Sequence, residues 1–279
     1  MPSNEARETS NRMIVGIDIG GSTTDAVLLD DEIRVVTIEA NDPFAAAAGA
    51  LGRLCKDVRH QLSDLTAIAA TGAGARTMED HLFGVPVKIV PEMTAIGIGG
   101  TTLADKKEAL VVSMGTGTAV VSVKDGEIRH VAGTGVGGGT LLGLSKHLLN
   151  VSRLETLEQL AATGDLSHVD LTVGDLAGGP IGFLPADATA SNFGKLTADA
   201  TPNDKARALV NMIAEVIVVI AVGAAAANGH ADIVLTGKLV RVKPFVERIK
   251  ATRRLFPFNF IIPPHAEYAT AIGAARSLA

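Results

Sequence analysis

Residues 14–30 read "IVGIDIGGSTTDAVLLD", two apolar runs joined by an acid, paired glycines and hydroxyls. A second stretch, residues 108–127, "EALVVSMGTGTAVVSVKDGE", has the same build. Runs rich in Ile and Val on either side of a Gly-rich turn specify antiparallel hairpins, and Asp125–Gly126 adds a second tight-turn signal. Each hairpin leads into a third apolar run and then into helical and strand segments. A strand-hairpin-strand unit made twice in one chain predicts a duplicated α/β fold.

The first copy is expected to place strands at 13–19, 24–30 and 33–38 and a helix over 43–62 opened by Pro43. A strand at 66–70, the turn "TGAGAR", a short helix, a strand at 87–90 and a helical "PEMTAIGIGGTTLA" follow. In the second copy, helices are expected at 139–149, 153–163 and 204–228, a strand at 232–237 and a closing helix from about 265. The expected division is a loose tail over 1–12, a first lobe over 13–105 and a second over 106–279, with the break in "ADKKE".

At 279 residues and 47% hydrophobic content, the chain can bury the cores of two domains of ordinary size. A net charge of −5 and no long basic run leave nothing to draw it to nucleic acid or an anionic membrane. Cys55 is the only cysteine, which excludes an intrachain disulfide, a Cys-rich zinc site and a four-Cys iron–sulfur site, and fits a reducing, cytoplasmic setting. "MPSNEARETSNR" has no apolar centre, so neither a signal peptide nor an anchor is expected there. Residues 206–228 are strongly apolar, but Asn211 and Glu215 interrupt them, and the 12 residues after Glu215 fall short of the ~20 a bilayer needs. A buried or interface helix is the expectation.

Glycines let backbone N–H groups approach an anion, and Ser22, Thr23, Thr116 and Thr118 add hydroxyls. Each Gly-rich turn can therefore cradle phosphate. Asp18 stands where a carboxylate can hold Mg²⁺, an ion that takes few protein ligands and keeps much of its water. A third cluster, "GTGVGGGTLLGL" at 133–144, opens a helix, where phosphate or ribose binding and a simple packing turn remain equal alternatives. The strand ending "IVLTGKL" brings Gly237 to a place where a flat base could lie against backbone. No Gly-Lys-Ser/Thr follows either hairpin, so neither is a Walker A loop.

Together, "GIDIGGST", "MGTGT", "GTGVGGGTLLGL" and "IVLTGKL" resemble the phosphate and adenosine motifs of the actin, sugar-kinase and heat-shock-ATPase superfamily. Within it the chain is most similar to the type II pantothenate kinases, through "VPEMTAIGIGG", "LEQLAATGD", "ADATASNFG" and "AEYATAIGAA" as well. The resemblance implies a duplicated actin-like (ribonuclease H-like) ATPase fold, two lobes with a nucleotide cleft between them. It also implies ATP and Mg²⁺ as cofactors, pantothenate as acceptor, and a homodimer packed through the apolar helix at 206–228.

By the same resemblance Glu92 is the general base toward the acceptor hydroxyl, and Asp18 holds the metal. Gly20, Gly21, Ser22 and Thr23 line the β- and γ-phosphates, Thr116 and Gly117 clasp the other side, and Thr116 also borders the acceptor. Gly138, Gly139 and Thr140 approach the ribose and α-phosphate, and Gly237 and Lys238 lie by the adenine. The chain departs from the family in two acceptor positions. His130 stands where relatives carry an arginine, and Ala119 where a serine follows the turn. Arg129 can replace that arginine only if the strand bulges, because strand side chains alternate faces. An imidazole is a weaker partner for a carboxylate or phosphate than a fixed bidentate guanidinium. The loss is ~1.5–3 kcal/mol, roughly ten- to hundredfold in rate or affinity. Alternative readings are a kinase for another small hydroxy acid, or an ATP-dependent sensor or activator without small-molecule chemistry.

Overall fold

The computed structural model describes residues 13–29, 32–39, 42–57, 61–252 and 254–279. The expected tail at 1–12, and residues 58–60 of the first expected helix, lie outside these. The chain forms two units, Met1–Gly99 with Tyr268–Ala279, and Gly100–Glu267.

In chain order the first unit contains β1 (Met13–Ile19), β2 (Thr24–Leu29), β3 (Ile33–Ile38), α1 (Pro43–Asp57), β4 (Leu65–Thr71), β5 (His81–Leu82) and β6 (Val85–Ile89). Helix α2 (Glu92–Leu103) starts in this unit and ends in the next. The second unit continues with β7 (Ala109–Met114), β8 (Thr118–Lys124), β9 (Glu127–Thr134), α3 (Gly138–Leu149) and α4 (Leu154–Ala162). There follow β10 (Leu171–Thr172), α5 (Val173–Ala177), β11 (Thr189–Ser191), α6 (Pro202–Asn228), β12 (Asp232–Thr236), α7 (Lys243–Thr252) and β13 (Asn259–Ile261). Helix α8 (Ala269–Arg276) returns to the first unit.

The sheet orders establish the duplication. The first sheet runs β3-β2-β1-β4-β6-β5 and the second, read from its other edge, β9-β8-β7-β12-β13. In both, an antiparallel three-strand meander is extended by parallel strands on the side of its first strand. Alternation decides which residues meet which layer. Val15, Ile17 and Ile19 face α1 through Ala47, Leu51 and Leu54, whereas Ile14 and Ala69 face Ala95 of α2 and Ala274 of α8.

The expected break at 105/106 falls instead at Gly99/Gly100, and the closing helix belongs to the first unit, not the second. Three glycines explain this. A methyl on Gly16 would overlap Ala271 O, one on Gly99 would overlap Ala269 O, and one on Gly273 would overlap Ala95 O. Main chain therefore lies directly on main chain where α8 crosses β1 and α2.

In the second unit α6 is the core helix, with Leu209, Ile213, Ile217 and Ala221 buried against β7, β8 and β12 through Val112, Val120 and Leu235. It is the one helix among the described residues long and apolar enough to cross a membrane, and 61% of its most apolar window is buried in this core. Its two interrupting polar residues dock the excursion at 171–197. Asn211 donates to Asp170 Oδ2 at 2.8 Å and to Thr189 Oγ1 at 3.2 Å. Glu215 accepts from Asn192 Nδ2 at 2.7 Å and pairs with Arg248. Pairing of the Asn211 amide N–H groups and of the Glu215 carboxylate offsets the cost of polar atoms in an apolar helix, although Asn211 Oδ1 has no partner among the described residues. Burial pushes the Asp170 carboxyl up from its ordinary value.

The N-terminus of α6 predicts a pH response. Asp204 accepts N–H groups of Asp165 and Thr201, each at 2.8 Å, and these hold its carboxyl well below the usual range. His168 Nδ1 lies 3.2 Å from Asp204 Oδ2, which raises the imidazole pKa. The depressed acid stabilises the fold above about pH 4, its unfolded value, and that contribution is lost as the pH falls. The raised histidine contributes fully below about pH 6.5 and its contribution disappears as the pH rises through the higher folded value. Urea midpoints should therefore decline on both sides, and His168→Gln should flatten the alkaline side while sparing the acid side.

Candidate active site

The first unit contributes a turn, a carboxylate row and a helix start. The β1–β2 hairpin closes through Gly20 N–H to Thr23 O at 3.0 Å, leaving Gly20, Gly21 and Ser22 exposed at its tip. Asp18, half-buried at the end of β1, is in register with Asp25 of β2 on one side and Thr71 of β4 on the other. Register partners share a face of the sheet, so two carboxylates stand side by side. Asp25 is 5% exposed and accepts Thr37 Oγ1 at 2.5 Å. Asp25 is not among the expected site residues; the register of the hairpin brings it opposite Asp18. Glu92 is exposed as the first residue of α2, where the helix dipole favours a carboxylate.

This donor set suits Mg²⁺. One half-buried carboxylate with a second beside it, next to an exposed turn of glycines and hydroxyls, matches an ion that takes one or two carboxylates and fills the remainder with water and phosphate oxygens.

The second unit contributes a turn seated on a helix start. A methyl on Gly137 would stand 2.7 Å from Gly117 O and Thr116 O, so the 115–117 turn lies directly on the N-terminus of α3. Gly138 N–H donates to Gly115 O at 2.8 Å, and Gly139 N–H to Thr116 O at 2.9 Å. Those two amides thus join turn to helix. Thr140 donates to Gly135 O at 2.8 Å. Thr118 is buried and donates to Val136 O at 2.8 Å, so its hydroxyl is engaged within the fold and does not extend the exposed donors of Thr116. After β12, Gly237 adopts φ +91 against the Met114 main chain, and Lys238 begins a 3₁₀ turn.

β9 carries a bulge at Val131, since Val120 pairs with Ala132 and Val121 with His130. Val131 and Ala132 both pack toward the α6 core. The parity of the strand is thereby reset, and His130 comes to the face of Gly133. His130 Nε2 lies 3.2 Å from where a Gly133 Cβ would be, and Gly133 is itself the register partner of Ala119. His130 and Ala119 therefore belong to one patch, in which small residues make room for an imidazole. Arg129 pairs with Ser122 and falls on the opposite face from His130.

Comparison with known proteins agrees with these elements. The Fumble family profile matches residues 104–275. The type II pantothenate kinase of Oceanobacillus iheyensis is 35% identical over 213 residues, 73% of this chain and 80% of that enzyme. That of Bacillus anthracis is 30% identical over 190 residues, and the match spans 65% of either chain. The activator of the 2-hydroxyisocaproyl-CoA dehydratase from Clostridium difficile, solved with bound ADPNP, superposes with a TM-score of 0.68 at 15% identity, covering 94% of this chain and 92% of that one. That likeness establishes the fold alone, the duplicated α/β architecture expected from the two hairpins. With the profile covering most of the chain and a relative of this identity spanned over four-fifths of its length, the chain belongs to the Fumble family, the family of the type II pantothenate kinases.

Proposed function

We propose that this chain is an ATP-dependent, cytoplasmic, homodimeric kinase that phosphorylates the primary hydroxyl of pantothenate, giving 4'-phosphopantothenate in the first step of coenzyme A biosynthesis. The observation that carries the reading is Glu92, exposed at the start of α2 in the unit that also presents the Asp18 hairpin, in a chain of this family. Asp18 holds Mg²⁺, which supplies charge neutralisation on the phosphates. Within the first unit the 20–23 turn lines the β- and γ-phosphates; within the second, Thr116 and Gly117 clasp phosphate, and Gly138, Gly139 and Thr140 border the ribose. Gly237 and Lys238 lie by the adenine. Glu92 Oε takes the proton of the acceptor hydroxyl as its oxygen bonds to the γ-phosphorus and the bond to the bridging oxygen breaks, leaving ADP. Val219, 61% exposed on α6, supports that helix as the contact between subunits.

A second reading, a related hydroxy acid as acceptor, is favoured by the His130, Gly133 and Ala119 patch. One panel separates them: Mg-ATP with pantothenate, pantothenate-like amides and other hydroxy acids, for the native chain and His130→Arg. Pantothenate is expected to be the best acceptor, and His130→Arg to lower its KM roughly tenfold through a charge-assisted contact. A clear preference for another acceptor, with no gain from the arginine, would replace the first reading by the second.

A further inference from the structure

Gly72 follows β4 with φ +87 and ψ 172, a backbone region open essentially to glycine alone. A Cβ there would lie 2.5 Å from Asp18 Oδ1 and 2.6 Å from Ile19 O. The second unit repeats the device. Gly237 follows β12 with φ +91 and ψ 176, and each glycine leads into a 3₁₀ turn. A Cβ on Gly237, however, would come closest to the main chain of Met114, with its carbonyl carbon at 2.7 Å and its nitrogen at 2.8 Å.

Register makes the two copies comparable position by position. Asp18 pairs with Thr71 as Ser113 pairs with Thr236, and the glycine comes next in both. The same bend thus serves backbone packing in one copy, while in the other it also borders the carboxylate assigned to the cation. On the far side of Asp18 stands Asp25, on the same face of the sheet. On its other side the Asp18 carboxylate stands over Gly72, in the space a Cβ there would take.

We propose that Gly72 is a positioning residue for Asp18: its missing side chain leaves the volume in which that carboxylate stands, and its main chain closes off that volume behind it. The inference rests on the reading of Asp18 as the metal carboxylate. Metal sites tolerate errors of only about 0.5 Å in such a group, so filling the volume should misdirect the carboxylate more than it harms the rest of the unit. Gly74 provides a control in the same turn, because its φ is not positive and a Cβ there would press on the Ile19 side chain and leave Asp18 alone.

The test is Mn²⁺ binding to the full chain with a non-hydrolysable ATP analogue, followed by electron paramagnetic resonance of the free ion. Gly72→Ala is expected to weaken Mn²⁺ binding at least about tenfold, the usual scale for groups that orient a ligand, and Gly74→Ala less than about twofold. In an Asp18→Ala background Gly72→Ala should add nothing, since a residue acting through another loses its effect with that partner. Native-like Mn²⁺ binding by Gly72→Ala, or a full additional loss in the double variant, overturns the proposal. If Asp18→Ala itself leaves Mn²⁺ binding intact, the metal role of Asp18 falls, and the positioning role with it, whatever the outcome with pantothenate. Should Gly72→Ala not fold, Asp18→Glu decides: a longer carboxylate in a closed volume should lose Mn²⁺ binding about tenfold, and unchanged binding refutes the closed volume.

Discussion

Glu92→Gln is expected to lower turnover of pantothenate by about 10²- to 10⁴-fold while ATP binding stays at its native level. The amide keeps the size of the side chain and its place in the first turn of α2, so the helix should form as before. What it loses is the basic oxygen that the proposed mechanism assigns to the acceptor proton. Such a loss corresponds to about 3–5 kcal/mol of transition-state stabilisation, larger than any single contact proposed for His130. Single-turnover kinetics with Mg-ATP, alongside calorimetric titration of the nucleotide, separates the two quantities. A variant that turns over within a factor of a few of the native chain would leave Glu92 as no more than a favourable charge at a helix start.

The second large effect concerns stability. Gly273→Ala should cost about 3 kcal/mol, the upper part of the range for overpacked cores. The added methyl would overlap Ala95 O and stand 2.5 Å from Gly99 N, and neither atom belongs to a side chain that can turn away. For a chain of this size that is a fall in Tm of roughly 6–12 °C. Gly49→Ala is the matched contrast. Gly49 lies within α1 with nothing closer than 4 Å to a built Cβ, so alanine there should stabilise by about 0.5–1 kcal/mol. Thermal unfolding of the two variants side by side checks both signs, and equal midpoints would show that α8 and α2 can separate at no cost.

The meanders were the most legible part of the fold. Expected strands at 13–19, 24–30 and 33–38 lie within a residue of β1, β2 and β3, because alternation and turn residues agree there. The helix expected at 204–228 begins at Pro202, in the first turn after a Thr201 cap. Less was legible where tertiary context decides. α7 (Lys243–Thr252) carries Lys, Glu and Arg through most of its length and places only Phe245 and Ile249 in the apolar core cluster of its unit. β10 and β11 are two and three residues long, too short for a period to register. The unit boundary differs from the expected one because "ADKKE" has the composition of a linker, whereas α8 joins the first unit through glycines and alanines, which leave only a faint apolar mark. At the site, the hairpins and Glu92 were readable from motif. Asp25 and the patch around His130 depend on strand register, and the bulge at Val131 that sets the latter shows only in the pairing.

The return of α8 to the first unit carries a consequence for biosynthesis. A ribosome releases the segment from Gly100 to Glu267 before Tyr268–Ala279 has emerged, and domains generally fold as units as they appear. Here the unit begun first must wait for residues 268–279, while the unit made second already has its whole sequence. Until then the amino-terminal β-sheet holds Ile14 and Ala69 against Ala95 of α2 alone, without Ala274 and Ala275 of α8.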